Sequence, residues 1–182
     1  VPRAAQTRGR RDLPFCIHTR YSTQQAILED IVASLYAQGM RKLIILSGHG
    51  GNNFKGMIRD LAFVYPDFLI IAADWFSIVP PKDYFEAVVD DHAGESETSV
   101  MMHYHPELVN LDEAGDGESK PFAIPSLNEK VGWAPRHWDK ATVDSGVGNP
   151  KKASAEKGER YMKPVVEKLA KLFTEVGLGS LY

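Results

Sequence analysis

The sequence predicts an α/β fold with a mostly parallel sheet flanked by helices. Two observations carry this. Apolar residues recur at helical spacing and then give way to a short continuous apolar run, and the alternation occurs twice between residues 22 and 73. Each apolar run ends in a turn or a polar pair, in the manner of a strand buried on both faces.

In chain order, Ser22 or Thr23 caps an amphipathic helix marked by Ile27, Ile31 and Leu35, flanked by Leu28 and Val32, that runs until Gly39. Lys42 to Leu46 reads as a buried strand, Phe54 to Tyr65 as a second helix, and Phe68 to Ala73 as a second strand before Asp74-Trp75. Strands alternating with helices imply right-handed crossovers and a parallel sheet, so the strand ends near His49 and near Trp75 open on one edge. Beyond Pro80-Pro81, the segment Asp90 to Val109 reads as helical around Thr98, Met101 and Met102 until Pro106 stops it. Residues 110–149 are rich in Gly, Pro and Asp and read as irregular. The last helix has Asn149 as cap, Pro150 in its first turn, and Val165, Val166, Leu169, Leu172 and Phe173 on one face, ending near Gly177. Two strands are few for a typical sheet, which points to more of the sheet upstream.

Composition narrows the function. With 182 residues, 43% hydrophobic and 25% charged, the chain is expected to form one globular domain over residues 1–182. A formal charge of −3 and a pI near 6.1 leave no basic footprint, which argues against nucleic acid and against an anionic membrane as partners. One cysteine, Cys16, cannot close an internal disulfide, and no apolar stretch approaches the ~20 residues that span a bilayer. The expected location is cytoplasmic. Val1 to Arg11 holds several arginines but no apolar segment follows, so it reads as a loop and not as a secretory signal.

Two clusters hold the residue types of a catalytic centre. In Ser47-Gly48-His49-Gly50-Gly51-Asn52-Asn53, a glycine-rich turn after the first strand delivers His49 to the carboxyl edge of the sheet, where α/β proteins place their ligands. The turn lacks the Gly-Lys-Ser/Thr ending of a phosphate loop and the spacing of a dinucleotide fingerprint. In Asp90-Asp91-His92-Ala93-Gly94-Glu95-Ser96-Glu97-Thr98-Ser99, acids surround a histidine at a helix start. On one ideal helix His92 and Glu97 lie roughly 140° apart, so they converge only if His92 sits before the first turn, which Gly94 makes easy. A histidine there exchanges protons near neutral pH, and a carboxylate on the first turn can ligate a metal. Glu95 and Asp91 are equally suited to complement the helix dipole, Trp75 to be core or pocket wall, and Asn52 to bond the turn backbone.

These two clusters in this order, with Asp74-Trp75, Gly146-Val147-Gly148-Asn149-Pro150 and Ala155-Glu156-Lys157-Gly158-Glu159, resemble the creatininase (creatinine amidohydrolase) family over nearly the whole chain. The resemblance implies a three-layer α/β fold, assembly into a homo-oligomer (hexamers are frequent), and a site with two divalent metals, Zn or Mn, that hydrolyses a C–N bond of a cyclic amide or related small molecule. By position, His49 resembles a ligand of one metal and Glu97 a ligand of the other, and His92 resembles the proton-transferring histidine. Gly50 matches a substrate-contacting backbone position and Trp75 a pocket aromatic. The creatininase proper has Tyr and Glu where this chain has Gly50 and Gly51, which weakens the case for creatinine itself. Family members also carry a Glu-x-His pair and a bridging Asp near the N-terminus, and nothing in this sequence matches them; residues 12–23 look like the segment that follows. The resulting expectations are weak Zn or Mn binding by the chain as given, His49 and Glu97 at a common pocket with His92 nearby, and, as the alternative function, a non-catalytic, assembly-forming family member.

Overall fold

A computed structural model describes residues 18–180; Cys16 and the segment Val1 to Arg11 lie outside them. In chain order the helices and strands are α1 (Tyr21–Ala37), β1 (Lys42–Ser47), α2 (Lys55–Val64), β2 (Leu69–Asp74), β3 (Asp90–His92), α3 (Glu95–Tyr104), the single turns α4 (Pro125–Asn128) and α5 (Trp138–Ala141), β4 (Val147–Gly148) and α6 (Ala155–Leu178). They divide into two compact units, one of residues 18–78 and 165–180 and the other of residues 79–164. Helices together with a small parallel sheet give the α/β class that the alternating pattern predicts.

In the first unit β1 and β2 pair in parallel from Lys42 opposite Leu69 to Ser47 opposite Asp74. Both strands therefore finish at the same edge, where the turn after Ser47 and Trp75 leave the sheet. The core beside it consists of Leu28, Val32, Met57, Leu61, Phe68 and Ile70, each side chain worth roughly 1.5–3 kcal/mol on burial. Here the periodicity misleads on one point. Leu28 and Val32 face the core, with Leu35 packed against it, whereas Ile27 and Ile31 are exposed. Both rows are apolar, but one residue is a 100° step on a helix, so only one row can point inward. Gly39, at φ 86, ends α1 with its N–H on the Tyr36 carbonyl and the Met40 N–H on that of Leu35, a left-handed stop that a side chain would strain.

The second unit departs from the expected single helix over Asp90 to Val109. Residues 90–92 are extended and pair antiparallel with β4, Asp90 opposite Gly148 and His92 opposite Val147. Ala93 turns the chain with a φ of 51 and Gly94 is the extended N-cap, so α3 begins at Glu95 and stops at Tyr104, before Pro106. Gly148 is required for this pairing: its φ is 114, and a Cβ there would lie 2.6 Å from the Val89 carbonyl oxygen and 3.0 Å from the Asp90 Cα. Tyr161 is buried against the rings of Tyr84 and Phe85, at 5.4 and 5.1 Å, and its hydroxyl donates to the Val79 carbonyl at 3.3 Å. Asn149 does cap a turn, but a short 3₁₀ turn over Pro150–Lys152, its Oδ1 accepting the Lys151 N–H. The long helix starts after Ser154, whose Oγ accepts the Lys157 N–H at 3.2 Å. In the later part of α6, Val165 and Leu169 are buried and Val166 and Phe173 exposed.

Candidate active site

The glycine-rich turn is wired through its own polar groups. His49 Nδ1 accepts the Gly51 N–H at 2.8 Å and the His49 carbonyl accepts the Asn52 N–H at 3.1 Å. Asn52 reaches the buried Ser47 Oγ with its side-chain amide at 3.5 Å and not the turn backbone. An imidazole nitrogen that accepts carries the lone pair, so the neutral His49 ring holds its proton on Nε2. Across the edge, Trp75 and Phe76 stack edge to face with centroids 5.9 Å apart, and a Cβ on Gly50 would meet Phe76 Cζ at 3.8 Å. His49, Gly50 and Trp75 thus share the carboxyl edge of the parallel pair, with Phe76 as an aromatic that sequence reasoning misses.

His92 and Glu97 meet as the spacing requires, because β3 and the Ala93 turn set His92 before the first turn of α3. His92 Nδ1 lies 3.7 Å from Glu97 Oε2, and the same oxygen accepts the Ala93 N–H at 2.7 Å. A carboxylate three residues into a helix that reaches back to an amide ahead of it acts as in a capping box, and it complements the dipole. Glu97 Oε1 has no hydrogen-bond partner among the described residues. Asp90 closes the same turn: its Oδ2 accepts the Ser96 N–H at 3.0 Å, while Oδ1 is buried without a partner among the described residues. Burial pushes the Asp90 carboxyl above the usual carboxylate range, against the lowering pull of Ser96.

Behind His92 stands a wall that no local sequence signal marks. The buried Trp138 ring meets the imidazole edge to face at 5.2 Å, the Arg136 guanidinium lies 5.0 Å over that indole, and Arg136 Nη1 bonds Asp91 Oδ2 at 2.6 Å. Glu95 needs a correction too. Instead of a surface carboxylate serving the dipole, it is fully buried: Oε2 accepts the N–H groups of Glu86 and Ala87 at 2.9 and 2.8 Å, and Oε1 takes Lys157 Nζ at 2.5 Å. Those carboxylates, Glu95 first and Glu86 second, raise the Lys157 ammonium above its ordinary value.

The donors suit a divalent metal in kind, since imidazole and carboxylate serve Zn and Mn alike and Glu97 keeps one oxygen open. The full set is not present among the described residues, where no three His, Cys, Asp or Glu side chains gather to hold an ion. A catalytic zinc takes about three protein ligands. Also among these residues, no helix is long and apolar enough to cross a membrane.

Comparison with known proteins identifies the family. The family model Creatininase (Creatinine amidohydrolase) matches residues 4–173. A mycofactocin precursor peptide peptidase of Mycobacterium ulcerans (strain Agy99) is 33% identical over 131 residues, 69% of this chain and 45% of its own length. The creatinine amidohydrolase of Pseudomonas putida is 24% identical over 169 residues, 85% of this chain and 63% of its own. The chain thus spans about half to three fifths of the length of these two relatives. A crystal structure of a protein described as a putative creatinine amidohydrolase, from Bacteroides fragilis NCTC 9343, superposes with a TM-score of 0.95 at 80% identity, covering 98% of this chain and 71% of that one. A mutant creatininase of Zn–Zn type, at 24% identity and a TM-score of 0.67, shares the fold. A match that takes in both histidine clusters and nearly the whole chain makes this protein a member of the creatininase family.

Proposed function

We propose that the chain serves a metal-dependent amidohydrolase that opens a C–N bond of a cyclic amide or related small molecule at a dinuclear Zn or Mn site. In this reading His49 is a ligand of one metal, Glu97 of the other through its open oxygen, and further ligands complete the set. A metal bound there would supply Lewis-acid polarisation of the scissile carbonyl and hydroxide near neutral pH. His92 transfers a proton to the leaving nitrogen, Gly50 offers its backbone to the substrate, and Trp75 with Phe76 forms an apolar wall. The observation that supports this most is the 3.7 Å approach of His92 Nδ1 to Glu97 Oε2 on a turn held by capping bonds. An imidazole fixed on this turn stands where it can pass a proton to the leaving nitrogen.

Equilibrium dialysis with Zn or Mn, joined to turnover of cyclic amides, tests the assignment. His49→Ala or Glu97→Ala is expected to lower metal occupancy at least tenfold, while His92→Ala keeps the metal and removes turnover. Occupancy indifferent to both ligand substitutions refutes it. A peptide bond is the second candidate substrate, because the peptidase relative is 33% identical against 24% for the amidohydrolase. Short peptides in the same assay decide between them, and inactivity on both with full metal occupancy favours the non-catalytic, assembly-forming alternative.

A further inference from the structure

Glu95 is a fully buried carboxylate, and neither metal binding nor proton transfer uses it. Its two oxygens bind three donors from segments far apart in sequence: the amides of Glu86 and Ala87 ahead of β3, and the ammonium of Lys157 on α6. Lys157 carries the link onward, donating also to Glu86 Oε1 at 3.0 Å and to the Lys152 carbonyl at 2.9 Å. Glu95 is also the first residue of α3, so its backbone is part of the turn that presents His92 on one side and Glu97 on the other. A second tie runs in parallel, since buried Ser99, one turn on, donates to the Glu95 carbonyl at 2.6 Å and accepts the Ser154 N–H at 3.2 Å.

We propose that Glu95, clamped by Lys157 and the Glu86 and Ala87 amides, is a positioning residue that holds the His92–Glu97 turn in its working geometry. This rests on the roles proposed for His92 and Glu97. Ala93 and Gly94 form a two-residue link between β3 and α3, and of the three residues of β3 only Asp90 and His92 pair with β4. The bonds within the turn, Ala93 to Glu97 and Ser96 to Asp90, hold the helix start against β3 but tie neither of them to the elements around. Glu95 ties it outward, to the loop before β3 and to the first turn of α6. Groups that orient metal ligands from behind typically change metal affinity 10- to 100-fold when removed.

The test uses the full chain with Glu95→Gln, and amide hydrogen exchange followed residue by residue. The expected result is faster exchange at Glu86 and Ala87, whose charged acceptor becomes the weaker neutral oxygen of an amide, and also at Ala93 and Ser96, whose partners are untouched by the substitution, while exchange in α1 and α2 stays as in the wild type. Acceleration confined to Glu86 and Ala87, with Ala93 and Ser96 as in the wild type, overturns the proposal and leaves Glu95 a local anchor. Should the single variant fail to fold, Glu95→Gln with Lys157→Met removes both charges of the pair and is read at the same amides. Zinc alone, titrated into both proteins, gives the second readout, with a 10- to 100-fold loss of affinity in the variant expected and an equal affinity counting against positioning. If the wild type takes up no zinc, the exchange pattern alone decides the role of Glu95.

Discussion

Gly158 of α6 sits where a single methyl group sets two known effects against each other. A Cβ at this position would lie 2.6 Å from the Ser99 carbonyl carbon and 3.0 Å from His103 Cβ, with the Ser99 oxygen nearer still. Carbon atoms make favourable contact at about 3.5–4.0 Å, so α6 and α3 would have to part by roughly 1 Å. Alanine favours a helix interior over glycine by about 1 kcal/mol. Overpacking a well-fitted contact costs about 1–3 kcal/mol, and the obstacle here is backbone and not the end of a flexible side chain, which places the cost at the upper end. Separation would also stretch the 3.2 Å bond from the Ser154 amide to Ser99 Oγ. The net expectation for Gly158→Ala is a loss of about 1–2 kcal/mol and a melting temperature lower by roughly 2–8 °C. Gly177, in the same helix, supplies the control, because a Cβ there would have nothing within 4 Å: Gly177→Ala should be neutral or raise the melt. Circular dichroism melts of the three proteins decide the matter, and a Gly158→Ala variant that melts with or above the wild type refutes the close-packing argument.

Ser99→Ala should cost about 1–3 kcal/mol in denaturant titration, because it strips the Ser154 amide of its acceptor inside the protein; an unchanged midpoint would show that the bond does not matter. Lys152 first and Lys157 second hold the exposed Glu86 carboxyl down to about 2, against an ordinary 4.5. A depressed folded value means that its stabilising contribution is present above pH 4.5 and is lost as pH falls towards 2, so the gap in melting temperature between wild type and Glu86→Gln should close over that window; a constant gap would contradict it. Phe76→Ala should raise KM for bulky apolar substrates with little change in kcat, as Phe76 stands beside Gly50, and a fall in kcat alone would exclude a wall role. Ile27, Ile31, Phe63 and Val64 are exposed in the first unit, which supports self-association, and light scattering that returns a 20.2 kDa monomer would exclude it.

What can be read from the sequence follows the range over which each signal acts. Leu43 to Leu46 and Phe68 to Ala73 announce strands because each is a short continuous apolar run, although Leu46 is left exposed, and the helical crossover between them fixes the parallel direction. The meeting of His92 and Glu97 is legible only as a condition, that the histidine precede the helix, since an angle of roughly 140° forbids it on one helix. The structure meets the condition with β3 and a left-handed Ala93. β3 itself leaves no trace, being three residues paired with two that follow after a long irregular stretch. Trp138, Arg136 and Lys157 reach their partners from far along the chain, and such contacts imprint no local period. The choice between the Ile27 and Leu28 rows stays open for a plainer reason: both are apolar, and only the packing of Met57 and Leu61 selects one.

The bond from the Gly51 amide to His49 Nδ1 sets a toll on whatever the histidine takes up next. Ligation through Nδ1 would displace the amide, and ligation through Nε2 would need the proton on Nδ1, which would then face another donor, so the closed turn and a ligating His49 would exclude each other. A net hydrogen bond of about 0.5–1.5 kcal/mol makes the closed turn outnumber the open one by roughly 2- to 12-fold, and the apparent dissociation constant would rise roughly 3- to 13-fold. Any group that gives the Gly51 N–H another acceptor, a substrate carbonyl for instance, would lift the toll. Substrate and metal would then favour each other's binding through one backbone amide.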